Sequence, residues 1–236
     1  MTIPWLDDDD AFPPVETALR EPNGLLAAGG GLSPARLMNA YRCGIFPWFG
    51  EDDPVLWWAP DPRMVLWLRE LHLSRSLRRT LRSRRFTVTL DAAFDAVMRA
   101  CAEPRADEAG TWITPEMLAA YTQLAAQGHA HSVETWLNGK LVGGLYGVAA
   151  GRMFYGESMF SRVADASKVA LACLVHQLIR WEFELIDCQM STSHLASLGA
   201  REIPRAEFLR HVARLSAQPA TASPWTLDPD VMKACE

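Results

Sequence analysis

His131-Ser-Val-Glu-Thr-Trp-Leu-Asn-Gly-Lys-Leu-Val-Gly-Gly-Leu-Tyr-Gly-Val-Ala-Ala-Gly151 decides the fold. At its centre, Asn138-Gly139 is a strong two-residue hairpin signal, because a type I′ turn needs left-handed backbone at both central positions. His131 to Trp136 reads as the strand before that turn, and Lys140 to Ala149 as its return. A second turn at Ala150-Gly151 leads into a third strand, Arg152 to Met159. Asp165 then stands as the N-cap of a helix from Ala166 to Trp181, which is apolar on most sides and so reads as buried. Leu185 to Gln189 is the next strand. A short helix stops at Gly199, and Pro204 starts the last one.

Upstream the signals are mostly helical. Ser33 caps a helix with Pro34 at its first position and Gly44 past its end. Ser74 caps another, with Leu77 and Leu81 on one face and Arg75, Arg78, Arg79 and Arg82 towards water. Phe86 to Leu90 alternates as a strand, Asp91 caps a helix through Ala102, and Thr114-Pro115 opens a helix that ends at Gly128. A helix-rich start, an antiparallel meander, a central helix and another strand make an α+β pattern. Residues 1–62 are rich in Pro, Gly and Trp and read as a small N-terminal domain. The boundary falls at Ala59-Pro-Asp-Pro-Arg63, where two prolines oppose a continuous helix, and residues 63–236 form the second domain.

Composition narrows the class. With 49% hydrophobic and 22% charged residues, the 236-residue chain can bury a sizeable core. Its net charge of −5 gives no global basicity to advertise nucleic acid. The distribution says more, because eight arginines lie between Arg63 and Arg85 against an acidic background that opens on Asp7 to Asp10. Arginine pairs bidentately with phosphate, so this cluster reads either as a solvated helix face or as a phosphate-binding surface. Five scattered cysteines without a CxxC spacing argue against a disulfide framework or a zinc site. There is no signal-peptide pattern and no apolar run of the ~20 residues that a span needs. A soluble cytoplasmic protein is expected.

Several residues carry chemistry. Strand alternation places Asp187 and Gln189 on one face and Ile186 and Cys188 on the other. A carboxylate and an amide on a central strand are costly to bury without partners, so they are either a satisfied structural pair or a site. Gly156-Glu-Ser-Met-Phe-Ser161 lies in the third strand of the meander. Ser158 invites comparison with a nucleophile elbow, but Phe160 stands where that motif needs glycine. Cys188 with His194 is a weaker nucleophile pair, since on this alternation Cys188 faces the core. His129-Ala-His131 lacks a third metal ligand at any metal-site spacing. Trp48 and Trp112 read as stacking surfaces for bases or as ordinary packing.

The meander, buried helix and following strand resemble the GNAT (acetyltransferase-like) fold. Acetyl-CoA enzymes of that fold carry a glycine-rich turn at the start of the central helix, and Arg162-Val-Ala-Asp-Ala-Ser167 has none. That weighs against a CoA-dependent N-acyltransferase, which stays as the alternative. The ordered set of motifs is similar to one family, the leucyl/phenylalanyl-tRNA–protein transferases. The matching stretches are Gly44-Ile-Phe-Pro-Trp48, Trp57-Trp-Ala-Pro-Asp-Pro-Arg63, Ser74-Arg-Ser-Leu77, Thr111-Trp-Ile113, Gly128-His-Ala-His-Ser132 and Val142-Gly-Gly-Leu-Tyr-Gly-Val148. Gly156 to Ser161, Ala166-Ser-Lys168, Leu185 to Gln189 and Ser197 to Arg205 continue the series.

The resemblance implies a small N-terminal domain and a GNAT-like catalytic domain. It implies transfer of Leu or Phe, and Met less well, from aminoacyl-tRNA to proteins with N-terminal Arg or Lys, which marks them for N-degron-dependent degradation. Asp187 and Gln189 would form the catalytic site, Gln189 on the attacking amine and Asp187 orienting it. Glu157 would hold the 3′ adenosine or the cationic N-terminus. Trp48 and Trp112 would contact the adenine. Leu145, Phe154, Met159, Leu171, Leu174 and Ile186 would line the side-chain pocket, and Arg75, Arg78, Arg79 and Arg82 would meet the tRNA backbone. Neither cofactor nor metal is expected, and the chain is expected to be a monomer that does not engage membranes. Leu145 and Leu174 stand where some members have Met and Phe, and Met190-Ser-Thr-Ser193 departs from the family pattern.

Overall fold

Residues 3–104 and 112–235 are described by the computed structural model. Thr111 of the Thr111-Trp-Ile113 stretch lies outside them. The first sixty residues build β1 (Trp5–Leu6), β2 (Leu25–Gly29), α1 (Pro34–Arg42), β3 (Phe46–Pro47) and β4 (Leu56–Trp58). The four strands form one sheet in the order β1-β2-β4-β3. Helix α1 starts where expected, with the Ser33 hydroxyl accepting from the Arg36 N–H at 3.3 Å. Gly44, just past its end, takes φ +73°, a left-handed value that costs glycine little. The buried face of α1 carries Leu37, Met38 and Tyr41.

The rest of the chain supplies β5 (Arg63–Trp67), α2 (Arg75–Arg82), β6 (Thr87–Leu90), α3 (Phe94–Ala102), α4 (Pro115–Ala126), β7 (Ala130–Leu137), β8 (Lys140–Ala150) and β9 (Met153–Ser161). It continues with α5 (Ala166–Arg180), β10 (Leu185–Gln189), α6 (Ser193–Ser197), β11 (Arg201–Ile203), α7 (Arg205–Ser216) and α8 (Val231–Ala234). Its strands form a seven-stranded sheet in the order β11-β5-β10-β9-β8-β7-β6. The hairpin between β7 and β8 turns at Asn138 (φ +51°) and Gly139 (φ +75°), as the Asn-Gly signal predicts. All neighbours in this sheet are antiparallel except β9 and β10. A parallel pair needs a crossover, and α5 provides it.

That parallel pair makes the site. It is registered at only two positions, Phe154 with Ile186 and Tyr155 with Asp187. Beyond them β9 continues to Ser161 alongside β8, while β10 bulges and turns away at Gln189 (φ +61°). The two strands splay, and a wedge opens in the sheet.

Side chains alternate across the sheet, so successive residues serve different cores. Leu145, Phe154 and Ile186 pack with Leu171 and Leu174 of α5. Tyr146 and Tyr155 pack on the other face with Tyr41, Tyr121 and Phe208. Gly143 lets α5 start close to the sheet, because a Cβ there would lie 2.5 Å from the Ala166 Cβ.

Two cap expectations and one about the last helix need correction. Asp91 does not cap α3. It sits at φ +52° and accepts from the Ser132 and Trp225 N–H groups and the His131 ring, while the N-cap position is Ala93. The α3 start is served instead by the buried Glu134 of β7, which accepts from the Ala92 and Ala93 N–H groups at 3.4 and 3.2 Å. An adjacent strand thus does what a local aspartate was expected to do. Asp165 precedes α5 as expected, but at φ +70° its carboxylate faces Thr80, whose hydroxyl donates at 2.7 Å. The Ser161 hydroxyl accepts from the Ser167 N–H instead. Finally, the helix after Pro204 is not the last, since α8 follows and packs on α5.

Candidate active site

The wedge between β9 and β10 holds a cavity of about 570 Å³. Its inner recess is apolar. Leu145, Phe154, Met159, Leu171, Leu174 and Ile186, the six side-chain-pocket residues from the sequence, all line it. They come from β8, β9, α5 and β10, elements that run from Lys140 to Gln189. Trp48 and Trp112 line the same cavity, and so do Glu157 and Gln189. Trp48 is 38% exposed. Its carbonyl accepts from the Trp58 ring N–H at 2.6 Å, and the two rings meet edge to face at 5.5 Å.

Glu157 and Gln189 meet in the lining of this cavity. The Gln189 side-chain N–H donates to Glu157 Oε1 at 2.9 Å. Tyr41 donates to the same oxygen at 2.8 Å, and Tyr121 to Oε2 at 3.2 Å. The two phenols also bond to each other. Among the described residues no cation bonds this carboxylate directly. Burial therefore dominates and raises the Glu157 pKa from 4.5 to about 7, despite the tyrosine hydrogen bonds that favour the anion. Burial and the nearby carboxylate push both phenols well above their ordinary value.

Asp187 is in a different position. It is 0% exposed and does not line the cavity. Arg63 grips it bidentately, Nε to Oδ1 at 2.8 Å and Nη2 to Oδ2 at 2.6 Å. The guanidinium is itself stacked between the rings of Phe46 and Phe208, at 4.7 and 4.6 Å from their centroids. Asp187 Oδ1 also accepts from the Gln189 backbone N–H at 2.9 Å, which holds the turn that carries Gln189 into the cavity.

Strand alternation consequently fails at this point. A bulge between Asp187 and Gln189 breaks the register, so the two do not project together. Cys188, expected to face the core, lines the cavity beside Gln189. Burial and the neighbouring Asp187 push its thiol far up, so it stays protonated and is a poor nucleophile. His194 also lines the cavity but makes no hydrogen bond to Cys188 among the described residues.

The remaining candidates lie apart. Arg75, Arg78, Arg79 and Arg82 are exposed on α2, which packs against α5 through Leu77 and Leu81. Arg78 spends its Nε on the Leu73 carbonyl at 3.2 Å. His131 is stacked on Trp225 at 3.6 Å between centroids and bonded to Asp91. Among the described residues no three His, Cys, Asp or Glu side chains are grouped to hold a metal. No described helix is long and apolar enough to cross a membrane.

Sequence reasoning missed Arg63, Tyr41 and Tyr121. Arg63 ended a quoted motif, Trp57 to Arg63, but nothing marked its partner 124 residues away. Tyr41 and Tyr121 sit on the buried faces of α1 and α4, where aromatic residues are ordinary core.

Two family models match the chain. One, described as leucyl/phenylalanyl-tRNA protein transferase, spans residues 65–213, and another, described as its N-terminal domain, spans residues 30–61. A leucyl/phenylalanyl-tRNA–protein transferase of Nitrosospira multiformis is 60% identical over 226 residues, covering 96% of this chain and 97% of its own. One of Thiobacillus denitrificans is 61% identical over 217 residues, covering 92% and 95%. A solved structure described as L-PGS from Bacillus licheniformis matches at 10% identity and a TM-score of 0.40, covering 71% of this chain and 54% of that one. On the family models and the full-length relatives, the chain belongs to the leucyl/phenylalanyl-tRNA protein transferase family, and it is an acyltransferase enzyme.

Proposed function

We propose that the cavity is where leucine or phenylalanine passes from the 3′ end of an aminoacyl-tRNA to the α-amino group of a protein that begins with Arg or Lys. The observation that carries this is the Gln189–Glu157 contact, 2.9 Å long, in the lining of a cavity that also holds the apolar recess residues, Trp48 and Trp112. The recess takes the aminoacyl side chain, and Trp48 and Trp112 take the adenine. A recess without charged side chains rejects charged amino acids by desolvation but separates Leu from Met poorly, so methionine is admitted as a further substrate.

The chemistry follows from the donors and acceptors. Gln189 commits one of its two side-chain N–H groups to Glu157, and its amide oxygen is an acceptor suited to an amine N–H. The amine nitrogen attacks the ester carbonyl carbon. Its proton goes to the Glu157 carboxylate, whose pKa of about 7 suits a base working near neutrality. The bond from the carbonyl carbon to the ribose 3′ oxygen breaks, and the Glu157 carboxyl returns its proton to that oxygen as it leaves. Asp187 acts at one remove, holding the Gln189 turn through its hydrogen bond while Arg63 holds Asp187. Fixing amine and ester in attack geometry contributes much of the rate, roughly 7–11 kcal/mol in favourable intramolecular cases.

Residues 63–236 are read here as a GNAT-like catalytic domain and residues 1–62 as a small domain that supplies Trp48 and Tyr41 to its site. The splayed parallel pair around a crossover helix supports that reading. A cytoplasmic monomer feeding N-degron-dependent degradation is the corresponding biological setting. The test is transfer of labelled leucine from charged tRNA to acceptors that begin with Arg, Lys, Asp or Glu. Incorporation into the Arg and Lys acceptors is expected, and a folded sample that labels none of them rejects the proposal.

A further inference from the structure

We propose that Trp225, on the tail that follows α7, sets the depth of the apolar recess and with it the choice between leucine and phenylalanine. This inference rests on the recess being the pocket for the aminoacyl side chain. Residues 217–230 form neither helix nor strand, yet they are tied down along their length. Thr221 accepts from Arg152 Nη1 at 2.7 Å. The Asp228 N–H donates to Gln177 Oε1 at 2.8 Å. Arg180 Nη1 donates to Asp228 Oδ2 and Asp230 Oδ1 at 2.8 and 2.7 Å. Arg152 immediately precedes β9, and Gln177 and Arg180 belong to α5. The tail is therefore fastened to two of the elements that supply the recess walls.

Trp225 is 1% exposed and does not itself line the cavity. Its ring stacks on His131, 3.6 Å between centroids and 4° from parallel. Trp181 and Phe183 close in at 4.9 and 6.0 Å. Its backbone N–H donates at 2.8 Å to Asp91 Oδ2, the oxygen that also bonds the His131 ring. Ring and backbone are thus both held.

Its other ring neighbour is Phe154, at 5.9 Å, and there this packing meets the site. Phe154 lines the recess from β9. Its ring lies across β8 over Gly147, where a Cβ would come within 2.6 Å of the ring. Trp225 meets that ring from the side away from the cavity. Protein interiors are close-packed, so a ring supported in this way does not yield unless space opens behind it. Phenylalanine needs a longer recess than leucine. A Phe154 ring held forward keeps the recess short and favours leucine, and one free to retreat lengthens it for an aromatic side chain.

Competition between Phe-tRNA and Leu-tRNA for one acceptor that begins with Arg tests this, read as the ratio of the two residues transferred. Trp225→Leu should move the ratio roughly fivefold towards phenylalanine. Trp225→Phe, which keeps a ring against His131, should move it about twofold. Both shifts are smaller than the tenfold or so of a direct pocket contact, because Trp225 acts through Phe154. Val212→Ala controls for lost stability, since Val212 is buried in the core on the other face of the sheet, and its ratio should equal that of the unaltered protein. Each ratio is measured within one protein sample, so partial misfolding cancels. Leu145→Ala, measured alongside, reads the recess itself. A shift there with none in either Trp225 variant overturns the role of Trp225 and leaves the recess standing. No shift in any of the three means that the recess does not read the side chain, and the inference falls with it. A shift in Val212→Ala as large as that in Trp225→Leu also overturns it, because loosening anywhere would then act alike.

Discussion

Two carboxylates on neighbouring strands have opposite surroundings. Asp187 on β10 is sealed at 0% exposure and held by two hydrogen bonds from the Arg63 cation. Glu157 on β9 lines the cavity and, among the described residues, is held by neutral donors, two phenols and an amide. A bidentate guanidinium fixes a carboxylate in one geometry. Neutral donors leave it able to gain and lose a proton, and here burial brings that exchange to about pH 7. On the proposed mechanism the sheet keeps one carboxylate for architecture and one for proton transfer, and the residue that separates them is Arg63.

The largest effect should come from removing that counter-charge. Arg63→Met leaves Asp187 buried and unpaired, and breaking one side of a buried ion pair costs about 3–5 kcal/mol. Urea unfolding should show that loss, and a loss below about 1 kcal/mol would mean that Asp187 is not sealed as described. Next comes Glu157→Gln, which keeps the shape but removes the proton acceptor. Its kcat/KM should fall roughly a hundredfold while the unfolding midpoint moves little.

The pH profile sharpens the same contrast. In the proposed mechanism Glu157 works deprotonated, so kcat/KM should rise with pH through about 7 and then level, and Glu157→Gln should lose that limb. The folded pKa lies above the free value of 4.5, so the Glu157 contribution to stability is complete below 4.5 and is lost as pH rises through about 7. Activity and stability should therefore move in opposite directions over that window. A flat kcat/KM profile across neutral pH would separate Glu157 from proton transfer.

The same pair of carboxylates shows what the sequence could tell. The meander, the Asn-Gly hairpin and the central helix were legible, because periodicity and turn chemistry are local. The apolar recess was legible as well, through a family resemblance that brought Leu145, Phe154, Leu171 and Ile186 together. The different environments of Asp187 and Glu157 were not. They depend on Arg63, 124 residues from Asp187, and on Tyr41, 116 residues from Glu157. Alternation misplaced Gln189 and Cys188 because a bulge adds a residue to one strand, and the Leu-Ile-Asp-Cys-Gln sequence has no glycine to announce one. The caps at Asp91 and Asp165 failed similarly, since partners distant in sequence, the Ser132 and Trp225 N–H groups and the Thr80 hydroxyl, took up those carboxylates.

A smaller effect should follow from the recess. Leu145→Ala enlarges the wall beside Leu171 and leaves Glu157 and Gln189 untouched. Competition between Phe-tRNA and Leu-tRNA should move about tenfold towards phenylalanine, the range expected when a few methylenes are removed from an apolar pocket. An unchanged ratio would show that the side chain is read elsewhere than beside Leu145.

The smallest effect should come from α2, where exposed arginines face solvent rather than reacting atoms. Arg75→Ala with Arg79→Ala should raise KM for charged tRNA a few-fold. Each lost phosphate contact should also flatten the dependence of log KM on log salt by roughly 0.7–0.9. Arg78 is a poorer choice, because its Nε holds the Leu73 carbonyl and its loss would disturb the helix start. Leucyl-adenosine separates two ways in which α2 can act. If the helix binds RNA, the double variant should handle that donor as the unaltered protein does. If transfer from leucyl-adenosine falls equally, α2 acts by bracing α5 through Thr80 and Asp165, and its arginines are a solvated face after all.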